Sequence, residues 1–379
     1  MNRAHPKGGV TCEDQGRERS RRCTGEVWVN TFGYVPLHPS MGPPGDRRRF
    51  PGYALDRRLN FTVAKDWKGL DVAVLSSETD LVRWRRAPSD VVVVLDLPDA
   101  FLDETSSTKT RLRGLAKWIA GPLSYPVMDY DHAMRRLIDR ADAVVCSTPE
   151  QAEKLERYSD NVHVVLDLHR EIEPMPPRKG LDDQKGSARF EVIWEGMHPT
   201  LVAIEQVLPA LHAINQMTEV VLHLVTDRFA SRYMNRFFVR DVSEMVASWG
   251  LAVEVHDWQV EVLRDVARNS DLAIVPVVEE DPYTFGKPEN RMRIFWRLGL
   301  PVIASDTPAH RRAVELAGVP TDTLCRGSED WKSTIVAYAS SVLARKFAAD
   351  TGYSAALGSY GDKAVLQSWD RMFESVGVR

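Results

Sequence analysis

The sequence predicts an α/β protein with two Rossmann-like, doubly wound parallel-sheet domains that face each other across a cleft. Short apolar runs alternate with helical stretches along most of the chain, which is the pattern of parallel sheets flanked by helices. A polar, proline-rich segment near the middle divides this alternation into two blocks. The length agrees with two domains, because 379 residues exceed the roughly 250 to 300 at which a single core stops growing.

The first block, residues 25–169, is predicted to be the N-terminal domain. Its strand candidates are continuous apolar runs, which suit parallel strands buried on both faces. They cover residues 26–33, 70–77, 90–99, 143–149 and 161–167. A helix over 149–158 is predicted because Thr148, Pro149 and Gln151 supply an N-cap, a first-turn proline and the partner of a capping box.

A linker is predicted over residues 170–189, which are rich in proline, glycine and charge and carry no apolar stripe. The alternation restarts in the second block, residues 190–350. Its strand candidates cover residues 190–196, 220–227, 252–258, 271–278 and 301–308. Two such blocks in tandem place the carboxyl ends of two sheets opposite each other, and ligands of open α/β sheets bind outside those ends.

The composition is that of a soluble globular protein, with 44% hydrophobic and 27% charged residues. A formal net charge of -4 gives no overall attraction to nucleic acid, which we exclude as a partner. No apolar run approaches the roughly 18 residues that span a bilayer, and the N-terminus lacks the apolar core of a secretory signal. We therefore expect a cytoplasmic protein without a transmembrane segment.

Residues 1–24 are predicted to be a disordered arm, because they are rich in arginine, glycine and polar residues without periodicity. We interpret the arm as a solvated tail, with peripheral contact to a membrane or a polyanion as the alternative. The four cysteines show neither CxxC spacing nor the density of a disulfide scaffold, so no structural metal is expected.

The stretch after the fourth strand candidate of the second block carries the strongest functional signal. Lys287 and Arg291 lie four residues apart in a helix predicted to begin at Pro288, so they would share one face. Cations at this end do not stabilise a helix, but they suit a bound diphosphate together with the free N–H groups of the first turn. Glu289 and Asn290 suit the hydroxyls of a ribose or a sugar. The alternative is a charged, solvated helix start paired with acidic residues of the preceding loop.

Gly196 follows the first strand of the second block, and a glycine there permits close approach of the backbone to a phosphate. His198, in the same turn, is interpreted either as a donor to the phosphate or the sugar or as a structural side chain. Trp258 is assigned to the core in preference to a contact with a base. Neither GxGxxG nor GxxxxGK[ST] is present, which argues against a standard dinucleotide fold or a P-loop NTPase.

The first block offers its own candidates at a strand exit that faces the cleft. Asp96 and Asp99 lie there, where a carboxylate is able to position or deprotonate an acceptor hydroxyl. The alternative is an ordinary role in turns, which aspartate readily fills. Residues 42–50 are interpreted as a mobile loop whose three arginines could meet a phosphorylated or lipid-linked acceptor.

Three stretches carry a recognisable combination of motifs: "AVVCSTPEQAEKL", "EVIWEGMHPTLVAIEQVLPAL" and "DLAIVPVVEEDPYTFGKPENRMRIFWRLGLPVIAS". Together they resemble the sequential landmarks of glycosyltransferases with the GT-B fold, in particular the retaining group that includes glycogen-synthase-like enzymes. The most specific element is the K-x-x-N-R helix followed by "GLPVIAS". The chain departs from the pattern where the usual pair of glutamates would fall, because Gly286 and Ile294 occupy those positions.

This resemblance implies a nucleotide-diphosphate sugar as donor substrate in the C-terminal domain, an acceptor in the N-terminal domain, and transfer without a metal. The family's diphosphate contacts carry over onto Gly196, Lys287, Asn290 and Arg291. Positioned cations stabilise a leaving diphosphate electrostatically, so Lys287 and Arg291 are assigned that catalytic role. Residues 351–379 are expected to form a C-terminal helix that packs back on the N-terminal domain.

The predicted function is that of a hexosyltransferase-like enzyme that transfers a sugar to the hydroxyl of a sugar, a lipid-linked or a small-molecule acceptor, without a cofactor. The rival interpretation among enzymes is a sugar-nucleotide 2-epimerase, which shares the two-domain architecture and needs no acceptor. A non-catalytic nucleotide- or solute-binding two-domain protein also stays open, because the acidic landmarks are absent.

Overall fold

The computed structural model describes residues 30–98, 123–125, 127–178, 189–231 and 239–378. Within these ranges the chain forms two six-stranded sheets in which every pair of neighbouring strands is parallel. Buried apolar clusters lie on both faces of each sheet. The predicted α/β class with two doubly wound parallel sheets is therefore confirmed.

The strands of the first sheet are short and mostly buried. They are β1 (Phe32–Val35), β2 (Phe61–Val63), β3 (Val72–Leu75), β4 (Val92–Leu97), β5 (Ala143–Cys146) and β6 (Val162–Val164). Their order in the sheet is β2-β1-β3-β4-β5-β6. The sequence did not predict β2, because this edge strand is largely exposed and carries no apolar run.

The second sheet contains strands of two to eight residues. Its members are β7 (Arg189–Glu195), β8 (Glu219–Thr226), β11 (Ala252–Asp257), β12 (Leu272–Val275), β13 (Val302–Ser305) and β14 (Leu324–Cys325), and a separate antiparallel hairpin contains β9 (Phe229–Ser231) and β10 (Val239–Asp241). The order in the sheet is β11-β8-β7-β12-β13-β14. The hairpin and β14 were not predicted, since two or three residues are too short for a periodic signal.

Helices connect the strands and cover both sheets. Those of the described ranges are α1 (Pro44–Arg47), α2 (Phe50–Arg57), α3 (Leu81–Trp84), α4 (Tyr130–Arg140), α5 (Pro149–Leu155), α6 (Leu208–Asn215), α7 (Val242–Val246), α8 (Val260–Asn269), α9 (Pro282–Phe285), α10 (Asn290–Arg297), α11 (Pro308–Ala317), α12 (Gly327–Ser340), α13 (Val342–Leu357) and α14 (Asp362–Ser375). Three 3-10 helices cover His198–Gln206, Ala247–Trp249 and Thr321–Thr323. None of the helices in the described ranges is long and apolar enough to cross a membrane.

The last helix of the chain, α14, packs on the first sheet. Trp369 and Phe373 belong to the same buried cluster as Phe32 and Phe50. Tyr53 stacks on Trp369 with ring centroids 5.6 Å apart. Aromatic pairs of this kind bury large areas and dominate core energetics, so α14 completes the core of the first sheet although it follows the second sheet in the chain.

Residues 165–178 carry the chain from the first sheet to the second. Leu168 is buried in the core of the first sheet, and Ile172 is buried in the core of the second. Beyond it, Met175 lies against the turn after α10, where Gly299 has a φ of +71° and an added Cβ would stand 2.6 Å from the Met175 carbonyl oxygen. Only glycine suits both the left-handed backbone and this close approach.

Candidate functional site

The second sheet reverses its winding between β7 and β12, which are neighbours in the sheet although β8 to β11 intervene in the chain. Ligands of open α/β sheets bind at such a switch point, outside the carboxyl ends of the strands. β7 ends at Glu195, directly before Gly196, and the connection that follows β12 leads through α9 to Lys287 and Arg291. The candidate residues of the second block therefore flank the crevice that this topology creates.

Lys287 lies outside the helix in which it was predicted. Its amide donates to the Thr284 carbonyl oxygen at 3.3 Å, and its half-buried side chain follows the turn formed by α9. α10 begins only at Asn290, with Glu289 as its N-cap. The prediction that Lys287 and Arg291 share a helical face is wrong, because the residues before Glu289 belong to α9 and the turn that follows it.

Arg291 occupies the first turn of α10 and reaches the end of β7. Its Nη1 lies 3.5 Å from the Glu195 carbonyl oxygen, at the edge of hydrogen-bond distance. Burial lowers the pKa of Arg291, and the negative charge of Glu195 opposes this shift. The guanidinium remains charged at neutral pH, since arginine does not lose its proton in proteins. The structure thus brings Arg291 beside Gly196, although the two are far apart in sequence.

Gly196 forms a tight turn after β7. Its amide donates to the Val225 carbonyl oxygen at 3.3 Å. An added Cβ would lie 2.7 Å from the ring of Trp194, so packing requires glycine here whether or not a ligand approaches. His198 begins the 3-10 helix two residues later and is half-buried.

The wall of the crevice contains Trp258, which follows β11. Its indole Nε1 donates to the Glu195 carboxylate at 2.8 Å. The Arg47 guanidinium, from the first half of the chain, lies over the ring at 5.3 Å from its centroid, within cation–π range. The ring is half-buried and packs on the core of the second sheet. Trp258 therefore combines the predicted core role with a place at the junction of the two halves.

We name Arg47, Glu195, Gly196, Trp258 and Arg291 the cleft cluster. The sequence drew attention to four of these residues but missed Glu195. A signal was available, because Glu195 is the last residue of β7 and side chains at strand exits of α/β sheets face ligands.

Two predicted ligand contacts at the start of α10 are not available in the way that the sequence suggested. Glu289 is only 2% exposed, and burial raises the pKa of its carboxyl, against which Arg293 and Arg312 act. Asn290 donates from Nδ2 to the Asp167 carboxylate at 2.9 Å. The expectation that Glu289 offers a carboxylate to ribose is corrected, since a residue that is only 2% exposed does not present its side chain to a ligand.

Asp167 connects the two halves below the cleft cluster. Besides Asn290, its carboxylate accepts from Arg49 Nη1 at 3.3 Å, and its backbone oxygen accepts from Arg293 Nη2 at 3.1 Å. Burial raises the pKa of Asp167, whereas the neighbouring Arg49 lowers it. The side chain of Asn290 is therefore held in a junction between the halves and not directed at the crevice.

Asp96 is buried in β4 and does not face a cleft. It is 3% exposed, and both of its carboxylate oxygens accept from Arg49, which is fully buried. Arg49 Nη1 also donates to the Val165 carbonyl oxygen at 2.6 Å. The prediction of a free carboxylate at this exit is corrected, because the ion pair occupies it. Asp99, the second candidate, lies outside the described residues.

The arginine-rich segment 42–50 is ordered and not a mobile loop. It contains α1 and the start of α2, and its buried Asp46 accepts hydrogen bonds from Tyr34 Oη and the Leu37 amide, both at 2.7 Å. Arg48 pairs with Glu171 at 2.5 Å. The prediction of three mobile arginines is wrong, because buried partners hold the segment in place. Arg47 alone of the three has a substantially exposed side chain, at 31%.

Comparisons with known proteins give no match by sequence: no family model and no curated protein matches the chain. Solved structures do match. HepE from Anabaena in complex with UDP aligns with a TM-score of 0.60 at 11% identity, over 91% of this chain and 100% of that one. Sucrose-phosphate synthase from Thermosynechococcus elongatus aligns with a TM-score of 0.55 at 12% identity, over 82% of this chain and 74% of that one.

A mutant of TarM from S. aureus, solved in complex with UDP and other ligands, aligns with a TM-score of 0.52 at 10% identity. The match covers 80% of this chain but only 55% of the TarM chain. At such identities the likeness establishes architecture alone. The chain has the GT-B fold, with two parallel α/β sheets whose carboxyl ends meet at a cleft.

Proposed function

We propose that this protein is a metal-independent glycosyltransferase that transfers a sugar from a nucleoside diphosphate sugar to an acceptor hydroxyl. The observation that carries this proposal is the position of Arg291 beside the Gly196 turn, at the switch point of the second sheet. A guanidinium in a partly desolvated crevice is suited to bidentate binding of a diphosphate. The solved complexes of HepE and TarM with UDP, which have the same fold, support UDP as the nucleotide.

The chemistry requires stabilisation of a leaving diphosphate while positive charge develops on the sugar. Arg291 supplies a fixed positive charge for the leaving group, and Lys287 adds a second from the turn before α10. Donors that are in place before the reaction stabilise developing charge without reorganisation. Two side-chain cations perform here the role that a divalent ion performs in metal-dependent enzymes, so no metal is needed at the diphosphate.

The rest of the cleft cluster suits the nucleoside. Trp258 offers an aromatic edge at the crevice, and Gly196 permits close approach of the backbone. The Glu195 carboxylate is partly exposed and accepts from Trp258 through one oxygen, which leaves acceptor capacity for a ribose hydroxyl. We assign the donor to the C-terminal half and the acceptor to the N-terminal half, on the side from which Arg47 approaches.

The direct test is isothermal titration of the protein with UDP, with and without Mg²⁺. We expect binding that does not depend on Mg²⁺ and that weakens about 10- to 100-fold in Arg291→Ala, because a charged hydrogen bond contributes roughly 1.5 to 3 kcal/mol. Arg291→Lys should be intermediate, since it keeps the charge without the planar fork. The control is Arg268→Ala on α8, an exposed arginine that pairs with the exposed Asp265 at 3.1 Å. Equal affinity of wild type and Arg291→Ala would refute the site.

Product analysis separates the proposal from its rivals. UDP release that depends on an added acceptor, with a new glycoside formed, supports a transferase. Release of UDP with a 2-epimeric sugar, without any acceptor, would instead identify a 2-epimerase. Binding of UDP without turnover of any UDP-sugar tested would identify a non-catalytic nucleotide-binding protein.

A further inference from the structure

Three side chains with metal-binding chemistry converge near the edge of the second sheet. His223 lies on β8, and Glu254 and His256 lie on the edge strand β11. The parallel register places Glu254 beside His223 and His256 one row further along, beside Val225. Because alternate residues of a strand point to the same face, all three side chains emerge on one face of the sheet. Among the described residues, this is the one group of three or more such side chains with the spacing of a metal site.

The donor atoms form a compact triangle. His223 Nδ1 lies 3.1 Å from His256 Nε2 and 3.5 Å from Glu254 Oε2, and His256 Nε2 lies 3.8 Å from the same carboxylate oxygen. In a tetrahedral zinc site with bonds of about 2.0 to 2.1 Å, the ligand atoms lie about 3.3 to 3.4 Å from one another. The three separations observed here bracket that value, so small side-chain adjustments would place all three atoms around one ion.

The second nitrogen of His223 is already oriented. His223 Nε2 lies 2.8 Å from Glu191 Oε2 on β7, so the ring donates to this carboxylate and its Nδ1 lone pair points toward the other two ligands. Metal-binding histidines commonly donate their other ring nitrogen to a carboxylate in this way, which fixes the tautomer and the ring orientation. Glu191 therefore provides the supporting contact that a metal site requires.

A hydrogen bond alone explains less of this geometry. His256 is able to donate from Nε2 to His223 Nδ1 at 3.1 Å without any ion. That bond leaves the Glu254 carboxylate 3.5 and 3.8 Å from the two ring nitrogens, beyond ordinary hydrogen-bond distance. A metal ion accounts for the convergence of all three groups.

We propose that His223, Glu254 and His256 bind one divalent transition-metal ion of the Zn²⁺ class, with water as the fourth ligand. Two imidazoles and one carboxylate are a ligand set that zinc accepts, and they leave one position open. Glu254 is exposed and His256 is only half-buried, so an ion reaches the site from solvent. The expectation of no structural metal rested on the spacing of the cysteines, whereas the ligands of this site are histidines and a glutamate.

The ion would join the edge strand β11 to its neighbour β8. Trp258 of the cleft cluster follows His256 by two residues, so the ion would anchor the strand that leads into the wall of the crevice. It would not contact the diphosphate, because its ligands lie on the strands and not beyond their ends. The proposal is thus independent of the sugar-transfer function and compatible with metal-independent transfer.

The test is titration of the full, metal-stripped chain with Co²⁺ and then Zn²⁺. We expect one equivalent of Co²⁺ to give the strong visible absorption of a tetrahedral site, without a thiolate charge-transfer band, and Zn²⁺ to displace it. His256→Ala and Glu254→Gln should each weaken binding at least about tenfold, since each removes one of three ligands. Glu191→Gln should weaken it by about 10- to 100-fold, the usual cost of losing the carboxylate behind a metal-bound histidine.

Matched controls are His212→Ala and Glu261→Gln, which alter an exposed histidine and an exposed glutamate of the same half. Both should bind the metal like wild type. Failure of wild type to bind one equivalent, or unchanged affinity in His256→Ala, would overturn the proposal and leave a hydrogen-bonded histidine pair. UDP affinity measured in EDTA tests the sugar-transfer proposal separately from the metal site. It should not change when the ion is removed, because the cleft cluster does not contain this ion.

Discussion

The strand exits of the two halves contain similar charged residues, which are buried in the first half and partly exposed in the second. In the first half, Asp96 and Arg49 neutralise each other in the interior, with exposures of 3% and 0%. In the second half, Glu195 and Arg291 lie at a crevice, partly exposed, with acceptor and donor capacity remaining. Both arrangements bring an acidic and a basic residue to the carboxyl end of a parallel sheet.

A charge at a strand exit is therefore not by itself a sign of function. A buried pair contributes to the fold because either partner alone would be an uncompensated buried charge. A partly exposed pair at a switch point is available to a ligand, because its remaining hydrogen-bonding capacity is not consumed by the protein. Three variants test this contrast, and they follow in order of decreasing expected effect.

Arg49→Ala should destabilise the protein by about 3 to 5 kcal/mol, the usual cost of removing one partner of a buried ion pair. It leaves Asp96 and Asp167 buried without their shared cation. The measurement is the free energy of unfolding from urea denaturation. By contrast, Arg291→Ala should remain folded while it loses UDP affinity. This result would separate the structural role of Arg49 from the ligand-binding role of Arg291.

The matched control for Arg49 is Arg57→Ala, which removes a cation from an exposed pair with Asp370 in the same half. Its cost should be about 1 kcal/mol or less. A second variant, Arg49→Met combined with Asp96→Asn, should recover part of the lost stability, since neutral partners need no counter-charge. A loss below about 1 kcal/mol in Arg49→Ala would contradict the structural role.

His310 tests a buried neutral group at the exit of β13. Burial lowers the pKa of His310 to about 4, and nearby Arg291 and Arg312 act in the same direction, whereas the Ser305 carbonyl oxygen and Asp306 oppose them. Between about pH 6.5 and 4, His310 is therefore protonated in the unfolded chain but neutral in the folded protein. This contribution to stability is present above pH 6.5 and is lost as the pH falls.

Across that range, about 3 kcal/mol of the free energy of unfolding should depend on His310. His310→Gln should remove this part of the pH dependence, because an amide is able to donate to the Ser305 carbonyl oxygen without titrating. The readout is the difference between the two pH profiles, which cancels the shared carboxylates. Parallel profiles would show that His310 does not resist protonation in the folded state.

Glu150→Gln should have the smallest effect. Glu150 in α5 pairs with Arg312 in α11 across the two halves, and both side chains are substantially exposed. Exposed pairs contribute about 0.2 to 1 kcal/mol and weaken in salt. Thermal denaturation at low and high ionic strength should show a small destabilisation that disappears in salt. A loss comparable to that of Arg49→Ala would mean that exposure does not separate the two classes of pair.

Local patterns predicted the sheets well because a parallel strand buried on both faces needs an apolar run whatever its neighbours are. The capping box of Thr148 and Gln151 is likewise present at the start of α5, where the sequence placed it. Local patterns failed at α10, since Pro288 signals a helix start but the preceding turn of α9 delayed that start to Asn290. Edge strands as short as β14 leave no periodic signal.

Local sequence patterns were enough to predict the α/β class, the division of the chain into two sheets, and the strand exits at which charged residues collect. Which of those residues are buried and which remain open to a ligand depends on contacts that form only in the folded protein. Asp96 is neutralised by an arginine 47 positions away, and Asn290 is held by an aspartate 123 positions away. Apolar periodicity is a property of neighbouring residues, whereas burial and ion pairing depend on partners that folding alone brings together.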